Sequence, residues 1–475
     1  MPENKTLVMK FGGTSVGSAD ALTKAAQIVK DARADYARVV VITSAMSGVT
    51  NLLLDSAASA SQGKTDSLPK AESTLREKHF AAADALIKDE TLRAETKQEI
   101  NSLIHSFVEL CKAIAILGEA SPRAMDAAAS IGERMSVRLL GAVVTSAGVS
   151  AKAIESTEFV VTNAHFQNAH PDFKATTEKT RQLLNPLLDQ GIVPVTTGFI
   201  GATPECAITT LGRGGSDYSA AIIGAVLPAD DVWIWTDVDG IMTTDPRIVK
   251  DAKTLSEITY SEVAELAYYG AKVLHPKTIR PVVDAGIGLR ICNTFNPSHP
   301  GTRLIANIPS DLQPRDGQIV KAVTAIRNQR LVTIEGRGML GVPGVAARAF
   351  GAVASTKTSV PLITQASSEQ SICFAVPSES ADSVINALQV TFASEIEDED
   401  IDRVWMTEDV SIITVVGVGM RHTPGVAGQV FTQLGNNKAN VLAIAQGSSE
   451  VSISMVVAAA DTELAVRSLH DLIVK

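Results

Sequence analysis

The last third of this chain is written twice. Gln365-Ala366-Ser367-Ser368-Glu369 returns as Gln446-Gly447-Ser448-Ser449-Glu450, 81 residues further on. The same offset carries Gly338-Met339 onto Gly419-Met420 and Pro343-Gly344-Val345-Ala346 onto Pro424-Gly425-Val426-Ala427. A register that preserves turn glycines and polar residues, which packing alone would not select, marks one small module used twice. The first 300 residues carry no such repeat. A different unit therefore stands in front of a duplicated one, a layout that suggests a catalytic domain wired to a paired sensor.

In each copy an apolar run (331–334; 412–416) meets a Gly-rich turn and then a helical pattern (345–354; 426–434). Two strand patterns follow (360–365 and 371–376; 441–446 and 452–457), then another helix. This order predicts β-α-β-β-α, the ferredoxin-like arrangement lacking only its last strand, with 320–326 the candidate for a missing edge. Four prolines between residues 296 and 318 (Pro297, Pro300, Pro309, Pro314), with two glycines, break helices and ladders alike and place a domain boundary there. The expected domains are 1–305, 319–400 and 405–475. In the first of these, 7–11 and 39–43 are short β-branched runs, each followed by small residues and a helical pattern, as in a parallel α/β sheet. Residues 71–117 read as an amphipathic helical excursion. Residues 192–200, 231–236 and 288–292 add strands, with 219–226 and 261–274 helical between them.

At 475 residues, 45% hydrophobic and 20% charged, the chain reads as an ordinary soluble protein of several domains. A net charge of −10 with no basic run argues against nucleic acid. The four cysteines are widely spaced and form no CxxC pair, and His275 has no second histidine at metal-ligand spacing, so no metal site is expected. No uninterrupted apolar stretch reaches the ~18 residues of a membrane span, and the N-terminus turns polar at Lys10. A cytoplasmic protein without membrane contact is the expectation.

Lys10-Phe11-Gly12-Gly13-Thr14-Ser15 ends a strand in a lysine and two glycines. Glycines let backbone N–H groups approach phosphate oxygens, and the lysine can neutralise charge in transfer; a plain turn with a solvated lysine is the alternative. Thr210-Leu211-Gly212-Arg213-Gly214-Gly215-Ser216-Asp217 opens a helix with an anion nest, an arginine suited to a carboxylate, and an aspartate suited to orienting a cation. The alternative there is an N-terminal cap and a surface arginine. The polar loop from Thr236 and Asp237 through Met242 to Arg247 follows a buried strand, where open α/β sheets bind ligands, though Asp-Gly and Asp-Pro also form ordinary turns. Lys272 follows an apolar helix and can reach a phosphate.

These segments, in this order, together with Ser47-Gly48-Val49-Thr50-Asn51, Gly132-Glu133-Arg134 and Gly198-Phe199, resemble the aspartate kinases of the amino acid kinase superfamily. The repeat is similar to that family's two ACT regulatory domains. The resemblance covers essentially the whole chain, and no homoserine dehydrogenase part is expected after the repeat. It implies an α/β amino acid kinase fold followed by two α+β ACT domains, and transfer of a phosphoryl group from ATP, with Mg2+, to the side-chain carboxylate of L-aspartate. It also implies the first step toward lysine, threonine, methionine and isoleucine. By motif, Lys10 and Asp217 would be catalytic, and Thr50, Glu133, Phe199, Arg213 and Ser216 would hold aspartate, with Glu133 on the ammonium. Phe11, Gly12, Gly13, Thr236, Asp237, Met242, Arg247 and Lys272 would join Lys10 at ATP. Many relatives have Tyr where Met242 stands, so a hydrogen bond from that ring is not available here. Met339, Gln365 and Gln446 would serve an amino-acid effector; the glutamine in both copies resembles threonine-responsive members, with lysine the second choice. The resemblance further implies a homodimer or larger assembly through the ACT modules. Competing readings are an amino acid kinase for a glutamate-type substrate or uridylate, and a catalytically silent amino-acid sensor.

Overall fold

The computed structural model describes residues 3–270, 274, 276–306, 319–365, 370–420, 423–446 and 451–474. These form two compact units: Met1–Ile241 with Ser256–Tyr260 and Leu274–Ala306, and Met242–Leu255 with Ser261–Val273 and Asn307–Lys475. The division does not follow chain order, and 1–305 is not one contiguous body. Within the second unit Ile248 and Val249 join the apolar core of the second repeat, and the Val323 N–H donates to the Thr243 carbonyl at 2.8 Å.

The strands of the first unit are β1 (Glu3–Phe11), β2 (Tyr36–Thr43), β3 (Ala151–Ile154), β4 (Val193–Thr197), β5 (Ile200–Ala202), β6 (Ile208–Thr210), β7 (Asp231–Thr236), β8 (Glu257–Thr259), β9 (Gly288–Asn293) and β10 (Thr302–Ile305). Eight of them form one sheet in the order β3-β4-β2-β1-β7-β9-β10-β8, and only β9 and β10 run antiparallel. Leu7, Val8 and Met9 in β1 and Val39 to Ile42 in β2 are fully buried, as expected of parallel strands covered on both faces. The order reverses at β1, with β2 on one side and β7 on the other. In open α/β sheets such a switch opens a crevice at the carboxyl ends of the strands.

The helices of this unit that bear on the site are α1 (Ala19–Asp35), α2 (Val49–Ser61), α3 (Leu68–Leu86), α4 (Glu90–Leu117), α5 (Pro122–Ser146), α6 (Phe173–Asp189) and α7 (Gly215–Val226). The expected excursion over 71–117 is two helices, α3 and α4, and Asp89 restarts the second by accepting from the Leu92 N–H at 2.7 Å. By length and composition α4 is apolar enough to cross a membrane. Its Ile100, Leu103, Ile104, Phe107, Cys111 and Ile114 instead lie in the core of this unit. The strand expected over 192–200 is broken into β4 and β5. Phe199 takes a left-handed backbone (φ 68°) and its N–H donates to Ser219 Oγ at 2.9 Å, so the chain turns there. The helix expected over 261–274 spans Tyr260–Tyr268, and 271–273 lie outside the described residues.

The second unit holds β11 (Ala322–Glu335), β12 (Leu362–Gln365), β13 (Ser371–Pro377), β14 (Arg403–Met406), β15 (Val410–Val416), β16 (Ala443–Ala445) and β17 (Ser452–Ala458). They form one sheet, β12-β13-β11-β15-β17-β16, with β14 also paired to β11. The long β11 serves both copies. Its Ala322–Ile326 part pairs with β15, its Gln329–Glu335 part with β13, and the register shifts between them, where Asn328 has φ 57°. The missing edge of the second copy is therefore filled by 322–326, as expected. The first copy is completed by β14, which stands 81 residues after 322–325 and is that segment's counterpart. The modules interleave: the strand at 403–406 belongs to the first copy's sheet and 322–326 to the second's. Separate apolar cores lie under each copy, around Phe374 and Leu388 in the first and Ile413 and Leu469 in the second.

Candidate functional site

In the first unit a cleft of about 770 Å3 opens at the carboxyl ends of β1 and β2. Lys10, one residue before the end of β1, points into it and is only 9% exposed. Its Nζ lies 2.6 Å from Oδ1 of Asp217, in the first turn of α7, where the helix N-terminus favours a carboxylate. The pair is a charge contact rather than an aligned hydrogen bond, so both groups keep capacity for a ligand.

Two turns frame this pair. After β1, the Gly12 N–H is spent on the Trp235 carbonyl at 3.0 Å, and the Gly13 carbonyl accepts from the Ser47 N–H at 3.1 Å. A side chain on Gly13 would place Cβ 3.0 Å from the Ala45 carbonyl oxygen. Before α7, Gly212 and Gly214 are left-handed (φ 80° and 70°), which a β-carbon would oppose. Gly215 has a different reason: its Cβ would sit 2.5 Å from the Phe199 ring. Arg213 leaves this turn exposed at the cleft and has no ion-pair partner among the described residues.

Glu133 on α5 lines the same cleft at 3% exposure. Its Oε1 accepts from the Ala45 N–H at 3.3 Å, and its Oε2 is buried with no hydrogen-bond partner among the described residues. Burial pushes its carboxyl up to about 8, against the opposing pull of the Ala45 and Glu133 backbone hydrogen bonds. A buried acid with one unpaired oxygen facing a cleft is suited to a cationic ligand group.

Of the residues singled out from the sequence, the cleft gathers Lys10, Gly13, Thr50, Glu133, Phe199, Arg213, Ser216 and Asp217. Phe11 is not among them: its ring is fully buried and stacks on Trp235, with centroids 6.1 Å apart. Gly12 adjoins the cleft, its Cβ position 3.5 Å from Lys10 Nζ. Thr236 and Asp237 sit at the carboxyl end of β7, the neighbour of β1, and Thr236 Oγ1 donates to Asp237 Oδ1 at 3.2 Å. Met242 and Arg247 fall in the second unit. There Met242 Sδ accepts from Thr254 Oγ1 at 3.5 Å, and the exposed Arg247 is held by Asp245, with Nη2 to Oδ2 at 2.6 Å. Lys272 lies outside the described residues. Also in the second unit, Met339 and Gln365 line a cleft of about 390 Å3 against the Gly341–Ala346 turn. Gln446 is exposed just after β16 and does not line that cleft. Sequence reasoning missed Asp126, Ala129 and Gln167, which also line the first cleft. Asp126, Ala129 and Glu133 recur at three and four residues along α5, a one-face spacing that was available in the sequence.

The amino acid kinase family profile matches residues 5–293, and an ACT domain profile matches 332–392 and 413–472. The chain is 37% identical over 464 residues to the chloroplastic bifunctional aspartokinase/homoserine dehydrogenase 2 of Arabidopsis thaliana, covering 98% of this chain and 50% of that protein. It thus spans about half the length of the first curated relatives it matches. It is 35% identical over 467 residues to lysine-sensitive aspartokinase 3 of Escherichia coli K12, covering 98% of this chain and 99% of that protein. Crystal structures of E. coli aspartokinase III, with aspartate and ADP (R-state) and with lysine and aspartate (T-state), superpose with TM-scores of 0.78 and 0.80. Both are at 32% identity over 99% of this chain and 100% of theirs. The chain belongs to the amino acid kinase family, in its aspartokinase branch, with two ACT modules after the kinase-family region.

Proposed function

We propose that this chain is an aspartate kinase, moving the γ-phosphoryl group of Mg-ATP onto the side-chain carboxylate of L-aspartate. The bond from the γ-phosphorus to the β-phosphate bridging oxygen breaks, a carboxylate oxygen forms the new bond, and 4-phospho-L-aspartate and ADP leave. The carrying observation is the cleft that joins the Lys10–Asp217 ion pair to a buried glutamate with one oxygen unpaired and an arginine without an ion-pair partner, both among the described residues. An ionised carboxylate is already a nucleophile, so the protein has to position the reactants and stabilise spreading charge; no general base is required. Lys10 stabilises the transferring group and Asp217 orients Lys10. Glu133 takes the aspartate ammonium and Arg213 a carboxylate, with Thr50, Phe199 and Ser216 beside them. Gly12 and Gly13 lie at the phosphates; Phe11 contributes through its packing. Thr236 and Asp237, at the carboxyl end of β7, contact the nucleotide.

The product opens the route to lysine, threonine, methionine and isoleucine, and an end product acts back through the ACT modules. Threonine is the effector this reading favours, at the cleft of Met339 and Gln365, with Gln446 its counterpart in the second copy. Lysine is the second reading, favoured by the lysine-bound form of E. coli aspartokinase III. The edge strand β12, with Ile363 half exposed, suits pairing of two chains into a homodimer or larger assembly. Incubation with γ-32P-ATP and L-aspartate should yield labelled, hydroxylamine-sensitive acyl phosphate; label retained in ATP or released only as phosphate would overturn the proposal.

A further inference from the structure

Asp126 is 1% exposed at the back of the first cleft, and both its oxygens are taken. Oδ1 accepts from Thr210 Oγ1 at 2.7 Å, and Oδ2 accepts from the Thr210 N–H at 2.9 Å. The Gln167 N–H is shared between the two, at 3.1 and 2.9 Å. A carboxylate so occupied has no capacity left for a ligand, yet the two segments it grips both reach the cleft. Thr210 is the last residue of β6, immediately before the turn that carries Arg213, Ser216 and Asp217. Gln167 has a left-handed backbone (φ 68°), which costs energy in a residue with a β-carbon and persists where partners hold it. The same two segments also touch directly. The Ala169 N–H donates to the Thr210 carbonyl at 2.9 Å, and the Cβ position of Gly212 lies 3.0 Å from Asn168 Oδ1. Seven residues along α5 from Asp126, on the same face, stands Glu133.

We infer that Asp126 is a positioning residue for substrate binding: through one buried carboxylate it locks the 167–169 segment and the Arg213 turn to the helix that carries Glu133. It thereby fixes the distance between the group proposed for the substrate ammonium and the group proposed for its carboxylate. This rests on the aspartate-binding reading of the cleft. An asparagine loses the charge that strengthens the bonds from the Thr210 and Gln167 N–H groups, and its amide NH2 is accommodated only if the Thr210 hydroxyl turns from donor to acceptor, so the clamp weakens. Thr210→Val deletes only the Oγ1 bond and keeps the backbone bonds, so it is the milder probe.

The test is steady-state kinetics on the full chain for Asp126→Asn and Thr210→Val, with aspartate and Mg-ATP varied separately. Positioning predicts an aspartate KM raised about 10-fold or more in Asp126→Asn and several-fold in Thr210→Val, with the Mg-ATP KM within two-fold, in line with loss of bonds to a charged acceptor. A merely structural role would lower the active fraction, and so Vmax, while leaving the aspartate KM unchanged; that result in either folded variant overturns the inference. Should Asp126→Asn fail to fold, Thr210→Val decides. If the wild type fails to phosphorylate aspartate, the functional reading falls instead. Amide hydrogen exchange then decides the clamp: faster exchange across 210–217 in the variants supports it, and unchanged exchange refutes it.

Discussion

Replacing Glu133 by glutamine tests the electrostatic design of the site in a way that can be read without turnover. The wild-type carboxyl is pushed from its ordinary 4.5 to about 8 by burial. Between those values the folded protein holds a proton that the unfolded chain has released. Stability from this group is therefore fully present below pH 4.5 and is lost as pH rises through about 8. The whole interval corresponds to roughly 5 kcal/mol, about 1.4 kcal/mol for each pH step. Glutamine fills the same volume and does not titrate. Thermal melting of wild type and Glu133→Gln from pH 6 to pH 8 should show the wild type losing about 2 to 3 kcal/mol relative to the variant, on the order of 5 °C. L-Aspartate, whose ammonium is proposed to pair with the carboxylate, should restore the wild type most strongly at pH 8. It should barely move the variant, because breaking a buried pair costs about 3–5 kcal/mol. Melting curves that run parallel with pH would refute the burial argument. Equal aspartate shifts in both proteins would refute the ammonium assignment.

Lys10→Ala and Asp217→Ala are each expected to cut turnover by orders of magnitude in a folded protein, since charge stabilisation in the transition state carries the rate; initial rates alongside circular dichroism check this. Gly215→Ala should destabilise the first unit by about 1–3 kcal/mol and lower activity, because the added methyl meets the Phe199 ring; an unchanged melting temperature would contradict the packing. Gln365→Ala should weaken inhibition by threonine while sparing the uninhibited rate, and Gln446→Ala should do so less, because Gln446 does not line the Met339 cleft; dose–response curves separate the two. Sedimentation should find at least two chains per particle, and a monomer at micromolar concentration would remove the pairing proposed for β12.

Much of the site was readable from composition-independent signals. Lys10 and the Arg213 turn are local strand-to-helix motifs with glycines where the backbone needs them, so they stand out in one dimension. Glu133 could be found only through family resemblance, because nothing local distinguishes a glutamate that burial will raise. Asp126 shows what one dimension hides: its partners are 41 and 84 residues away, and only folding brings Gln167 and Thr210 to the same carboxylate. The repeat was legible because duplication preserves register, whereas the exchange of strands was only half so. The 322–326 strand could be guessed as a missing edge, and the 81-residue offset carries 322–325 onto 403–406, so β14 is its counterpart, although the polar residues around it do not read as a strand. The strand over 192–200 was read too long because apolar character continues through Phe199, while the turn is set by a hydrogen bond to Ser219, twenty residues on.

The most direct measurement is ADP release from Mg-ATP with and without L-aspartate, repeated with threonine, with lysine and with both. Aspartate-dependent ADP release that threonine suppresses is the predicted result. A chain that binds amino acids through its repeat yet releases no ADP in response to aspartate would contradict the account at its centre.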